Sequence, residues 1–325
     1  MIRLARQIVS FGLTDYNQIY GSIRYLVGSV TLFGKQIMNR TLVSYQNEKS
    51  HFNGFEGAFV FPTTQGIYRN GIACIDFASL YPSTIRAINA SPETYIGKVI
   101  VEYKDSTGNI VPSNLENELP FDIWDDEVAK AENVNRVYLL MPNNTKKEVT
   151  VDKLRAWINI HGIYTTNNTI FRKHEEKFGI ITKWCEYFYS QRKTTKKKMM
   201  KIFHYLNANK DKISPEEKFQ KETEEENLNS LQLGYKAMIN SIYGILGTPF
   251  SPIANPNIAQ SITRMGRFCN INASKFVLKY FNENYDKNYK GFRIKIDERL
   301  PEIDVSAISG DTDSFFSETQ IKIKK

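Results

Sequence analysis

Near the end of this 325-residue sequence, Asp311 and Asp313 flank one residue at a glycine-marked turn, in Ile308-Ser309-Gly310-Asp311-Thr312-Asp313-Ser314. Carboxylates this close repel one another unless a cation lies between them. A third acid, Asp76, closes the short apolar run Gly71-Ile72-Ala73-Cys74-Ile75-Asp76-Phe77, so one sheet could gather all three carboxylates. All-oxygen sets of this kind suit Mg²⁺, which keeps several waters and binds through one or two carboxylates plus substrate phosphates. Two such ions would activate an attacking oxygen and stabilise a leaving one. The four histidines, His51, His161, His174 and His204, are scattered, which disfavours zinc. Aspartate is also common in turns for local reasons, so the acids alone leave both readings open.

A second group is basic. Arg192 and Lys196 are four residues apart and would share a helix face. Lys236, Asn240 and Tyr243 share a face on a later helix by the same spacing. If the two helices are antiparallel, both sets lie toward the base of a hairpin. Converging Arg and Lys without matching acids suit a triphosphate: Arg grips oxygens bidentately and Lys adds a mobile charge. The alternative is a solvated basic face. Against it, Asn240-Ser241-Ile242-Tyr243-Gly244 lies in an otherwise apolar stretch.

The elements that must position these residues follow from periodicity. A strand over 71–77 leads into a helix with Pro82 in its first turn, running to about Ala90. Residues 98–170 read as strands and turns, with a helix over Val151 to His161 and a hairpin at Thr165 to Asn168. Ile181, Trp184, Cys185, Phe188, Met199, Phe203 and Leu206 mark one helix of about Ile180 to Asn207. Ser214-Pro215-Glu216-Glu217 opens the next, with Ser as N-cap and Glu217 completing a capping box, and it runs to about Leu246. A third helix covers roughly Asn257 to Tyr285. The chain then reads strand, turn, strand around the paired acids.

Composition narrows the class. The net charge is +8 and 41% of the residues are hydrophobic, enough to bury a core. Eleven Lys or Arg against three Glu fall between Arg172 and Lys210, and seven acids against three lysines between Asp211 and Asn227. No stretch approaches a membrane span and no signal peptide is evident, so a cytoplasmic protein is expected. Cys74, Cys185 and Cys269 are odd in number and far apart, and read as buried free thiols.

In order and spacing, Asp76-Phe77-Ala78-Ser79-Leu80-Tyr81-Pro82-Ser83, then Lys236 to Gly244, then Gly310-Asp311-Thr312-Asp313-Ser314 resemble motifs A, B and C of family B DNA polymerases. Phe55-Glu56-Gly57-Ala58, Ser91-Pro92-Glu93-Thr94 and Gln191-Arg192-Lys193 are similar to the T-even-type phage branch. The resemblance implies an α+β fold: a palm, made of an antiparallel sheet with packed helices, plus an antiparallel two-helix fingers hairpin. Residues 1–60 would precede the palm. Residues 61–178 would form its first part, with an insertion at about 98–165. The fingers and motif B would span 179–246, and the second palm part 247–325.

It implies site roles as well. Asp76 and Asp313 would bind two Mg²⁺ ions with help from the Phe77 carbonyl, and Asp311 would contribute mainly charge. Backbone at Ser79, Leu80 and Tyr81 would cradle a deoxynucleoside triphosphate (dNTP), with the Tyr81 ring excluding a 2′-OH. Arg192, Lys196 and Lys236 would grip its phosphates, while Asn240 and Tyr243 would line the nascent base pair. Phe55, Gly57, Ala58, Tyr243 and Gly244 would contact primer–template DNA.

Two departures from the family shape the expectation about partners. The Asp-x-Glu of a 3′–5′ exonuclease is expected upstream of motif A, whereas Asp125-Asp126-Glu127 lies after it and reads as a solvated acidic loop. A thumb is expected after motif C, where only one strand's worth of residues follows. The expectation is therefore a split polymerase, with thumb and exonuclease on separate polypeptides and a sliding clamp reached through the partner. The Ile321 and Ile323 strand would offer an edge for docking. The rival reading is an inactive remnant that holds primer–template or an assembly. Ser309 also stands where the family often has an aromatic residue.

Overall fold

The computed structural model describes residues 23–40, 57–68, 71–111, 121–210, 212–248, 251–288 and 309–319. Phe55 and the stretch containing Ile321 and Ile323 lie outside them. Helix α1 (Ile23–Met38) is followed by strand β1 (Gly71–Asp76) and helix α2 (Leu80–Ala87). Next come β2 (Tyr95–Lys104), β3 (Ile110–Val111), the short helix α3 (Asp126–Ala129), β4 (Val134–Leu140) and β5 (Lys146–Val149). Helix α4 (Val151–His161) leads into the hairpin β6 (Gly162–Tyr164) and β7 (Thr169–Arg172). The long helices α5 (Ile180–Ala208), α6 (Pro215–Gly247) and α7 (Pro256–Asn288) precede β8 (Ser309–Asp311) and β9 (Ser314–Thr319). This is the mixed α+β class with antiparallel sheets that the sequence predicts.

The strands form two sheets, a three-stranded one in the order β1-β9-β8 and a six-stranded one in the order β5-β4-β2-β7-β6 with β3 beside β2. In the larger sheet Val99, Ile100 and Val101 of β2 are all buried, because helices and chain cover both faces of this central strand. The three-stranded sheet joins segments far apart in sequence, with β1 paired to β9 from Gly71↔Thr319 to Asp76↔Ser314.

The largest core among the described residues is mainly helical and includes Tyr95 and Phe171 of the larger sheet. Ile180, Ile181, Trp184, Cys185 and Phe188 of α5 pack with Tyr235, Met238, Ile239, Ile242, Ile245 and Leu246 of α6 and with Ile258 and Ile262 of α7. Burial on α5 ends with Thr195, and on α6 it begins at Gln232. The helices are therefore embedded at their base and solvated at their tip. Phe203, counted above with the apolar face, is 44% exposed.

Several local expectations are corrected. Helix α2 ends at Ala87, because Asn89 turns into the left-handed region with φ 55°. Ser214 does cap α6, accepting from the Glu217 N–H at 3.2 Å, but the Glu217 carboxylate accepts from the Tyr205 hydroxyl at 2.7 Å rather than closing a capping box. Asp125-Asp126-Glu127 is not a loop. Asp125 caps α3, accepting from the Glu127 N–H, and Asp126 pairs with Arg155. All three cysteines are free, yet Cys74 is exposed, Cys269 half-buried and only Cys185 buried.

Candidate active site

The three-stranded sheet fixes where the acids stand. Asp76 of β1 and Asp311 of β8 are both paired with Ser314 of β9, one from each side. Asp313 occupies the two-residue turn before Ser314, and its carbonyl accepts the Phe77 N–H at 2.8 Å. That bond ties the acid-bearing turn to the end of β1. Gly310 is required here by close approach. A Cβ on it would sit 2.6 Å from both the Phe61 ring and the Ser314 carbonyl.

The three acids are not equivalent. The Asp311 carboxylate accepts from the Thr312 N–H at 2.7 Å and from its hydroxyl at 3.2 Å, so it closes its own turn. Asp76 and Asp313 instead line a cavity of about 490 Å³. Burial pushes the Asp313 carboxyl above the usual carboxylate range, the charges of Asp76 and Asp311 push the same way, and Lys236 offsets part of the effect. Two like charges thus face one space, and their repulsion at Asp313 is what a cation held between them would relieve. Among the described residues, no group of three or more His, Cys, Asp or Glu forms a ready-made metal cage.

The same cavity is lined by Phe77, Ser79, Leu80 and Tyr81 and, from the helical hairpin, by Arg192, Lys196, Lys236 and Asn240. The sequence spacing therefore brings both groups together in space. None of the three cations is in an ion pair among the described residues; Arg192 is held only by its Nε donating to Gln232 at 3.4 Å. Ser79 precedes α2 with φ 58° and ψ 60°, an uncommon conformation for a non-glycine residue that turns the chain into the helix. The first N–H groups of α2 have no intrahelical acceptor.

Tyr81 packs on Tyr243, with ring centroids 4.8 Å apart, and against α7, where a Cβ at Gly266 would lie 3.1 Å from its ring. Burial, then Tyr243 and then Asp313 push its hydroxyl up to about 12, so it is neutral at physiological pH. Tyr243 thus reaches the site through Tyr81 and does not itself line the cavity. Gly244 is exposed on α6 and a Cβ there would meet nothing within 4 Å. Glycine inside a helix costs about 1 kcal/mol relative to alanine, and no packing among the described residues accounts for it. Gly57 is exposed and Ala58 half-buried, and neither lines the cavity. Their segment is anchored by Phe61 on Phe315 and by Arg267 over the Phe59 ring.

Two supports escaped the sequence reading. The Asn270 amide on α7 is buried and donates to the Asp311 carbonyl at 3.2 Å and, more weakly, to that of Thr312 at 3.4 Å, holding the acid turn from behind. At the root of α5, the Asn89 side chain accepts the Gly179 N–H at 2.9 Å. Glu93 accepts the Ile180 N–H at 2.6 Å and the Ser91 hydroxyl accepts that of Ile181 at 3.3 Å. The turn after α2 thereby satisfies the open N–H groups of the helix that carries Arg192 and Lys196. Ser91-Pro92-Glu93-Thr94 signalled this only through resemblance, and nothing local marked Asn270.

Comparison with known proteins finds relatives by sequence. A DNA polymerase of Phaeocystis pouchetii virus is 25% identical over 290 residues, covering 87% of this chain and 24% of that protein. One from Pyramimonas orientalis virus is 25% identical over 295 residues, 87% of this chain and 21% of its own length. A DNA polymerase of Archaeoglobus fulgidus is 49% identical over a shorter stretch of 49 residues, 15% of this chain and 6% of its own. The chain thus spans about a quarter or less of these curated relatives. The model of DNA polymerase family B matches residues 26–325, and the chain belongs to that family.

Proposed function

We propose that these residues form the catalytic centre of a DNA-directed DNA polymerase, transferring a deoxynucleotide to a primer 3′-OH. The observation that carries the reading is the single cavity in which Asp76 and Asp313 meet three cations that form no ion pair among the described residues, contributed by distant parts of the chain. The domain division in keeping with it is a palm in two parts, residues 61–178 with an insertion at about 98–165 and residues 247–325, with fingers at 179–246.

Asp76 and Asp313, with the Phe77 carbonyl, would hold two Mg²⁺ ions, whose remaining ligands fall to substrate phosphates and water. When bound, the ions supply charge neutralisation and activation of the attacking hydroxyl. Arg192, Lys196 and Lys236 bind the triphosphate, and the open N–H groups at Leu80 and Tyr81 orient it. The neutral Tyr81 ring, fixed between Tyr243 and Gly266, is the wall that excludes a 2′-OH. Asn240, Tyr243 and Gly244 face the nascent base pair, and the empty space over Gly244 leaves room for it. Gly57 and Ala58 contact the template strand. Asp311 adds charge and shapes the turn.

The stretches at 55–58, 91–94 and 191–193 support a place in the T-even-type branch. The test is Mg²⁺-dependent primer extension by the purified chain, alone and with lysate of its native host, with Asp313→Ala as control. Extension that falls roughly 10³-fold in the variant is expected. DNA binding without extension under either condition would replace this reading with that of a non-catalytic primer–template holder.

A further inference from the structure

A second cavity, of about 530 Å³, lies between α7, the β6–β7 hairpin and the segment leading into α3. Trp124 and Phe268 line it and stand 48% and 51% exposed, unusual for side chains of this size. Its back wall is built. The Tyr164 hydroxyl donates to the Phe121 carbonyl at 2.9 Å and to the Asn168 amide oxygen at 3.1 Å, and that oxygen also accepts the Phe121 N–H at 2.8 Å. Asn168 is itself 3% exposed.

Charge selects the occupant. Arg264 and Arg267 line the cavity, one helical turn apart on α7. The one acid in the lining, Asp122, accepts the Trp124 N–H at 2.9 Å and so helps set the turn that presents the indole. The surface thus offers aromatic faces beside guanidinium groups. It also neighbours the nucleotide cavity through Tyr81, which lines that cavity. Arg267 acts electrostatically on Tyr81, and its neighbour Gly266 touches the Tyr81 ring.

We propose that this cavity binds single-stranded DNA, stacking an unpaired base on Trp124 and Phe268 and pairing the backbone with Arg264 and Arg267. Aromatic faces accept any base, and guanidinium groups take the phosphates and add cation–π contact. The inference rests on the polymerase reading for the identity of the strand, an unpaired template segment next to the nucleotide site.

The test is a titration of tryptophan fluorescence with a short single-stranded oligodeoxythymidylate, without metal or nucleotide. Trp184 is fully buried, and Trp124→Phe separates the Trp124 signal from that of half-buried Trp157. Saturable quenching that Trp124→Phe abolishes is expected, with binding by that variant retained in anisotropy. Trp124→Ala and Phe268→Ala should each weaken single-strand binding by about 5- to 150-fold, the range for one lost base stack, and leave blunt duplex affinity unchanged. Both side chains are half exposed, so the variants should melt as the parent does. Folded variants that bind single strands like the parent, or that lose duplex affinity equally, would overturn the proposal. Loss of single-strand binding in the variants of a chain that never extends a primer would remove the polymerase reading and leave this site standing. Unaltered variant binding in a chain that does extend would remove the site alone.

Discussion

The two sheets are built on opposite terms. The six-stranded sheet has its own core of nine buried residues, including Val99, Val101, Phe121, Leu154 and Ile170. Among the described residues, the acid-bearing sheet has only Phe61 and Phe315 as buried apolar contacts, and it carries Asp76, Asp311 and Asp313 at one end. A buried apolar side chain contributes about 1.5–3 kcal/mol, so the larger sheet can stabilise itself and the smaller one depends on neighbours. Its geometry comes from the Phe77–Asp313 backbone bond, the Asn270 amide and the fit of Gly310 against Phe61. Like-charged carboxylates are tolerable where the sheet meets solvent, and a thick apolar layer there would raise the cost of their charge.

That contrast can be broken at three points. Ile170→Ala, at a fully buried position in β7, should cost about 2–5 kcal/mol. Chemical denaturation would show it, while primer extension per folded molecule at low temperature stays near the parent value. Gly310→Ala should cost about 1–3 kcal/mol through overpacking. Here the loss of Tm comes with loss of extension, because the added methyl displaces the turn that bears Asp313. A Gly310→Ala protein that melts early yet extends normally would erase the distinction between the sheets.

The smallest effect has the opposite sign. The Asp313 carboxyl is held above its ordinary range in the folded protein, so the folded state takes up its proton more readily than the unfolded chain. Its contribution is unfavourable at neutral pH, where it is ionised, and that cost is relieved as pH falls through the raised value. Without metal, Asp313→Asn should therefore raise stability at pH 7 by less than about 1 kcal/mol, given solvent screening. The gain should vanish below the ordinary carboxylate range, and melting curves across pH would show it. A variant less stable than its parent at pH 7 would mean that the carboxylate is satisfied by the protein.

Periodic signals carried far in this molecule. Helix α4 matches its predicted bounds and α5 falls within one residue of them, because amphipathic spacing and turn residues are written locally. The convergence of Arg192, Lys196, Lys236 and Asn240 was legible for the same reason, since helix faces follow from counting. What escaped depends on partners distant in sequence. The Asn89 and Glu93 contacts to the start of α5 span some 87 to 90 residues, and Asn270 reaches the acid turn across 41. Solvation of Phe203 escaped too, because an apolar period shows which face would pack but not whether anything lies opposite.

The helical hairpin behaves mechanically as a beam clamped at one end. Its base is set in the core through Phe188 and, on the other helix, from Gln232 onward. Gly179 fixes the root further, since a Cβ there would come within 2.8 Å of Ser91. From Lys196 to Ala208 the free arm extends roughly 18 Å at the rise of an α-helix. The bending displacement of such an arm grows with about the square of the distance from the clamp. Arg192 and Lys196 sit where that displacement is least, so collisions and contacts at the tip are damped before they reach the cations.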